Sequence, residues 1–429
     1  MAALRLDRAR RESLKRVAAL MSGLATGCTS LARSRAVARV VVVGGGYGGA
    51  SAATYLKRWG RDDVDVTLVD ENDAFVSCPL SNRVIGGSGS MSDITVPYDG
   101  LARRGVRVVR DRALAVDVEH RTVRLARGDP LAYDRLVLSP GVDFLFDRIE
   151  GMASEAARDR FLHAWKAGPQ TLALRGRIEA MPDGGVFAIS IPQAPFRCPP
   201  APYERACLVA GYLRRAKPRS KVLIFDANAD VQSEKDLFTR AWAEQYRGIV
   251  EYRPDHVLTG VDRDSGVARF EIAEDERPDV LNVIPPQSAG SIARAAGAIT
   301  ANDRWCEVDF RTFESIKVPN VHVLGDSIQI APAMAKSGDM ASAHGRLVAA
   351  AIVSLLQERP LEPQAIRTIC YSFLTDRAAV HLSSLHRYDA DEKTYVPVTG
   401  AGEVSRAMSE ADGEAALAWA HALWRDMLG

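Results

Sequence analysis

The 429-residue chain has only six cysteines, and no two of them form a C-x-x-C pair. Six thiols in a chain this long exclude a disulfide scaffold. C-x-x-C-H is also missing, so this chain attaches no c-type haem, and no H-E-x-x-H or clustered Cys/His spacing points to a metal site. The eight histidines show no ligand spacing; His163 and His344 read as packing or surface residues. Neither sign of charge is in excess. Lys plus Arg is 55 against 54 for Asp plus Glu, which leaves no electrostatic footprint for nucleic acid or an anionic membrane. No apolar run reaches 18 residues; the longest, Leu347 to Leu356, suits a buried helix, so no transmembrane segment is expected. No 20–50-residue repeat or low-complexity tract is found. What remains is globular: 47% hydrophobic and 25% charged residues, with length for two to three domains.

Residues 1–38 read as an address. Arg5, Arg8, Arg10, Arg11, Lys15 and Arg16 form a basic region, Val17 to Leu24 a short apolar one, and Ala36-Val37-Ala38 offers small residues at cleavage spacing. Arg10-Arg11-Glu12-Ser13-Leu14-Lys15 resembles the twin-arginine export motif, with Ser13 where Phe is usual. The expectation is export to the periplasm. Two alternatives are a basic leader kept in the cytosol and a lipoprotein-type site at Cys28.

The next segment carries a nucleotide fingerprint. Arg39 to Val43 is a β-branched run, as a buried parallel strand should be. Gly44, Gly46 and Gly49 then fit G-x-G-x-x-G, and Ala50 to Trp59 reads as a helix. Glycine lets a pyrophosphate approach the backbone, and the helix N-terminus supplies N–H donors. A second strand, Val64 to Val69, ends at Asp70, about 20 residues on, where a carboxylate binds a ribose hydroxyl.

Two later strands choose FAD for this site. Tyr133 to Leu138 runs into Ser139-Pro140-Gly141, and Val321 to Leu324 runs into Gly325-Asp326. Both resemble flavoprotein reductases with two dinucleotide-binding domains, which implies that Asp326 bonds the ribityl chain. Lys336-Ser337-Gly338 opens a helix whose N-terminus would face the flavin pyrimidine ring. A second glycine loop is absent. The strand Gly185 to Ile191 is followed by Pro192 to Pro202, with five prolines and no glycine. Proline has no N–H to offer a pyrophosphate, so NAD(P)H is not expected as a partner. That loop presents Cys198 instead.

Cys78 follows the acid closely enough to lie against the isoalloxazine and form a thioether. Cys370 opens the last segment. Cys207 and Cys306 have no motif partner, and Cys207 reads as core.

These residues together resemble the flavoprotein subunit of flavocytochrome c sulfide dehydrogenase. The matching stretches are Val40–Gly49, CPLSNRVIGG from Cys78, HAWKAG from His163, PFRCPPAPYERA from Pro195 and IPPQ from Ile284. WCEVD from Trp305, RTFES from Arg311, Gly325-Asp326 and CYS from Cys370 continue the series. Pro79, Ser327, Ala333 and Ala335 depart from the pattern. The resemblance implies FAD held covalently through Cys78, a redox-active disulfide between Cys198 and Cys370, and Glu204 moving protons beside it. It implies sulfide as substrate, a periplasmic location, and a separate c-type cytochrome subunit carrying the haem.

The expected fold is α/β, with two Rossmann-like domains and a C-terminal α+β interface domain. Expected bounds are 39–150 and 285–350 for the FAD domain, 151–284 for the second nucleotide-like domain, and 351–429 for the interface domain. Two rival functions share this fold. One is a sulfide:quinone reductase at the membrane, with Ala415 to Trp424 as an interfacial helix. The other is a flavin-binding electron-transfer partner without sulfide turnover.

Overall fold

A computed structural model describes residues 37–429; residues 1–36, with the twin arginines, Cys28 and Ala36, lie outside the described residues. The β-branched run forms β1 (Ala38–Val43), so the first strand begins within the small-residue stretch read as a cleavage site. The glycine turn then enters α1 (Tyr47–Gly60), and the chain returns as β2 (Val64–Asp70). Next come α2 (Ser81–Gly86), β3 (Arg107–Arg110) and β4 (Arg135–Leu138). The middle of the chain gives β5 (Val186–Ile191), α3 (Ala201–Ala216), β6 (Lys221–Asp226), β7 (Val250–Arg253) and β8 (Val280–Val283). It closes with β9 (Val321–Val323), α4 (Gly338–Leu356), β10 (Ile366–Phe373), β11 (Ala379–Asp389), β12 (Thr394–Pro397) and α5 (Glu410–Leu428).

Three sheets organise these elements. The first runs β9-β4-β1-β2-β3, all parallel, with a short antiparallel pair (308–309 and 314–315) beyond β9. The second is the parallel sheet β7-β6-β5-β8, and the third is antiparallel, β10-β11-β12. The first sheet therefore draws on both segments expected for a discontinuous FAD domain. All three belong to one compact unit, Ala38–Gly429.

Small residues decide how α1 and α4 meet. A Cβ on Gly345 would stand 2.3 Å from the Gly48 carbonyl oxygen, and the Ser51 and Ser342 hydroxyls are 2.8 Å apart. The two helices touch almost backbone to backbone, which seats the N-terminus of α4 beside the glycine turn. With 19 residues and a mean hydropathy of 1.2, α4 has the length and composition of a membrane span. It is a core helix: Met340, Val348, Ile352 and the polar His344 are all buried in protein. The tail helix α5 also turns its apolar side inward, with Ala416, Ala420, Trp424 and Met427 buried. That is core packing rather than an interfacial anchor.

Candidate functional site

The glycine fingerprint shapes a cradle. A Cβ on Gly49 would lie 1.8 Å from the Gly44 carbonyl oxygen, so the turn closes only on glycine. Gly46 has nothing within 4 Å of its Cβ position, and neither has Gly141 at φ +66°. Gly46 borders open space at the start of α1, and Gly141 does so in the turn after β4. Asp70 partly departs from expectation. Its Oδ2 accepts the Gly45 N–H at 2.6 Å and its Oδ1 accepts both Asn72 nitrogens at 2.8 Å, so it also braces the loop.

Asp326 supplies the complementary sign. Its Oδ1 is buried and has no hydrogen-bond partner among the described residues. Burial raises its pKa, while Arg197 and Lys336 pull it back down. An open glycine edge at a helix N-terminus suits a pyrophosphate, and an orphaned carboxylate oxygen suits a polyol chain. The residues fit FAD. Ser337 and Gly338 line the adjoining cavity at the start of α4, where Ser337 Oγ accepts the Met340 N–H. Lys336 turns elsewhere. Its ammonium donates to the carbonyls of Asp326 (2.8 Å) and Ile328 (2.6 Å), lies 3.7 Å from the Trp305 ring centroid, and is pushed by burial down to about 7. Its side chain ties the Gly325–Ile328 turn, and its carbonyl accepts the Cys198 N–H at 2.8 Å.

The cavity brings together Cys78, Cys198 and Cys370, three cysteines far apart in sequence. Cys198 lies within the proline loop in a left-handed conformation (φ +56°), uncommon for a residue with a Cβ. Cys370 projects from β10. Both cysteines are free in this structure. Burial is the main cause that raises the Cys198 pKa, with Cys370 and Glu204 adding to it, and burial pushes Cys370 up to about 12. Cys78 accepts the Ala167 N–H at 3.5 Å. Cys207 is fully buried on α3, as read. His163 and His344 pack against Phe144 and Phe313, and burial pushes both down to about 3.

Glu204 lines the same cavity on α3 and is only 7% exposed. Its Oε1 accepts the Phe373 N–H at 2.9 Å and its Oε2 accepts Asn82 Nδ2–H at 2.7 Å. Burial, the dominant cause, raises its pKa. It is a carboxyl able to hold a proton near both thiols.

Several further residues shape this site. Arg205 is buried beneath Trp165 and bonds the His163 and Ala164 carbonyls. Gln287, from the IPPQ stretch, accepts the Arg197 N–H at 2.9 Å and so holds the cysteine loop. Asp339 accepts the Ile369 N–H at 2.9 Å, one residue before Cys370. Glu234 was not singled out at all. It contributes a carboxyl raised by burial to about 7, with Glu204 among its neighbours. The quoted motifs were the available signal: they converge on this cavity from separate segments.

Three family models match separate stretches of the chain. Residues 38–169 match Pyridine nucleotide-disulphide oxidoreductase. Residues 171–285 match Sulfide dehydrogenase (flavocytochrome c) flavoprotein chain, central, and residues 362–428 match Flavocytochrome c sulphide dehydrogenase, flavin-binding. A sulfide dehydrogenase (flavocytochrome c) flavoprotein chain from Chlorobaculum thiosulfatiphilum is 59% identical over 46 residues, 94% of that sequence and 11% of this one. This chain belongs to the flavocytochrome c sulfide dehydrogenase flavoprotein family. Within the wider group of sulfide-oxidising flavoproteins, the mitochondrial sulfide:quinone oxidoreductase of Dictyostelium discoideum is 26% identical over 302 residues. That match covers 68% of this chain and 65% of the relative. The solved sulfide:quinone oxidoreductase of Aquifex aeolicus superposes with a TM-score of 0.73 at 18% identity, over 91% of both chains. The α/β fold of this flavoprotein is thus the fold of that group.

Proposed function

We propose that this flavoprotein oxidises sulfide at the Cys198–Cys370 pair, with FAD attached through Cys78, and serves a c-type cytochrome subunit in the periplasm. The observation that carries the reading is the meeting of Cys198, Cys370 and Glu204 in one cavity at the N-terminus of α4.

In the oxidised pair, hydrosulfide attacks one sulfur of the disulfide. The S–S bond breaks, a new one forms to the incoming sulfur, and the products are a cysteine persulfide and a cysteine thiolate. A second hydrosulfide frees the sulfur as a disulfane anion and leaves both cysteines reduced. Returning that dithiol to the disulfide gives up two electrons and two protons. Bound FAD supplies a two-electron acceptor that can release electrons singly to a haem. Glu204 exchanges a proton with the thiols, and the left-handed turn at Cys198 aims its sulfur into the cavity. The helix start at Ser337 and Gly338 provides a positive dipole end that favours negative charge there.

Anaerobic sulfide added to the holoprotein should bleach the oxidised flavin band, and NADH should not. An unchanged spectrum with sulfide removes this reading and favours a flavin-binding protein without sulfide turnover. The quinone reading draws on the relative from Dictyostelium discoideum named a sulfide:quinone oxidoreductase. Offering the sulfide-reduced protein cytochrome c and a soluble quinone side by side separates the two acceptors.

A further inference from the structure

Glu204 and Arg205 are consecutive on α3, and both are buried, at 7% and 1% exposure. Opposite charges in so dry a place attract strongly. Yet the carboxyl and the guanidinium do not bond each other. Asn82, from α2, stands between them. Its Nδ2–H donates to Glu204 Oε2 at 2.7 Å and to the Ala201 carbonyl at 3.0 Å. Its Oδ1 accepts Arg205 Nε–H at 2.9 Å. The rest of the guanidinium is occupied by the His163 carbonyl (2.9 Å), Asn282 Oδ1 (2.8 Å) and the Ala164 carbonyl (2.7 Å). The other carboxyl oxygen takes the Phe373 N–H.

Among the described residues, every hydrogen-bond partner of the carboxyl is therefore a neutral N–H, and every partner of the guanidinium is a neutral oxygen. This also fixes the amide orientation of Asn82. Flipped, it would set its carbonyl against the carboxylate and its NH₂ against the guanidinium.

We propose that Asn82 is a positioning residue that keeps Glu204 and Arg205 from closing an ion pair, leaving Glu204 free to exchange a proton with the Cys198 and Cys370 thiols. A closed pair would hold the carboxylate ionised and unable to keep a proton. Insulated by an amide, the buried carboxyl can be protonated and deprotonated as the thiols change state: carboxylate plus thiol gives carboxylic acid plus thiolate. The charged and titratable groups that bear on Glu204 are the cations Arg205 and Arg83, the carboxyl Glu234, and the thiols Cys198 and Cys207. Arg83 is turned to the Phe373 ring at 4.5 Å and to the Ser88 carbonyl, which leaves Arg205 as the cation Asn82 must screen.

The role of the proton rests on the proposed sulfide chemistry; the insulation does not. The test is therefore a pH titration of the protonated carboxyl infrared band in the holoprotein, assigned to Glu204 by its loss in Glu204→Gln. In the wild type the band should persist above the ordinary carboxylate range. In Asn82→Ala the pair can close, and the midpoint should fall by at least about one pH unit. The direction decides the matter. If Asn82 were only a hydrogen-bond donor to the carboxylate, its removal would raise the midpoint. A rise, or no change, overturns the proposal. Asn82→Ser also vacates the gap and serves if the alanine variant does not fold; absence of any high-pH Glu204 band in the wild type overturns the proposal without a variant. Asn282→Ala is the control, because it loosens Arg205 without touching Glu204, and its midpoint should stay in place. The basic limb of sulfide-driven flavin bleaching should shift with the band in Asn82→Ala. If the wild type is not bleached by sulfide while the band behaves as described, the sulfide reading fails and the insulation stands.

Discussion

The Phe373 N–H donates to Glu204 Oε1 at 2.9 Å, so the strand that carries Cys370 and the helix that follows Cys198 meet on one buried carboxyl. The segments that carry the two thiols, far apart in the chain, are thus joined through this acid.

Cys198→Ser and Cys370→Ser should each lower the rate of sulfide-driven flavin bleaching at least about 100-fold, because a hydroxyl cannot form the exchangeable S–S bond. Both variants should purify with FAD, since neither residue belongs to the glycine cradle. Stopped-flow absorbance reads the rate. Near-wild-type bleaching in either variant removes the cysteine-pair mechanism.

Cys78→Ser tests attachment separately. Flavin should remain with the denatured wild-type polypeptide after acid precipitation and appear in the supernatant of the variant. Free flavin from the wild type would show that Cys78 makes no covalent bond.

Gly46 and Gly49 separate cofactor binding from folding. Gly46→Val adds a side chain where no atom of the described residues lies within 4 Å, so the apoprotein should keep its Tm while FAD affinity falls. Gly49→Ala drives a Cβ to 1.8 Å from the Gly44 carbonyl oxygen and should lower the Tm itself. Thermal melts with and without added FAD distinguish the two. Equal loss of Tm in both variants would contradict the open edge at Gly46.

Two buried histidines set part of the acid stability. Burial lowers His322 to about 4 and His344 to about 3, so both are neutral in the fold at neutral pH. The unfolded chain takes up their protons near pH 6.5, where the fold does not. Their contribution is complete above pH 6.5 and is lost as pH falls from there towards 4. Between pH 7 and pH 5, each should cost about 2 kcal/mol. Buried Glu204 and Asp326, whose pKa values are raised, act in the opposite sense. The comparison is therefore His322→Gln against wild type in urea at both pH values. The variant should lose about 2 kcal/mol less across that interval; an identical loss would mean that His322 is protonated inside the fold.

Local order made much of this legible in the sequence. A β-branched run, three glycines, a helix and an acid followed one another, and strand and helix bounds fell within a few residues. The proline loop reads as a poor second pyrophosphate site because proline lacks the donor. The meeting of Cys78, Cys198 and Cys370 came from resemblance, since spacing along a chain says nothing about which strand ends share a cavity. The Asn82–Arg205–Asn282 network was invisible for the same reason. Its members sit on α2, α3 and β8, and each looks like an ordinary polar residue in its own segment. Lys336 was placed correctly at the start of α4, but periodicity does not tell which way a side chain turns at a helix boundary. It went to the Gly325–Ile328 turn.

The end of α5 is tied to the opening of the fold. Thr54 donates to the Met427 carbonyl at 2.7 Å, Tyr55 to Asp426, and Arg104 to the carbonyls of Arg425 and Asp426. A growing chain leaves the ribosome with its glycine turn first, and the strand bearing Cys370, with the helix that pins it, long afterwards. For most of its synthesis the polypeptide lacks Cys370, the later member of the proposed pair. The proposed pair is therefore completed only when nearly all of the protein has emerged.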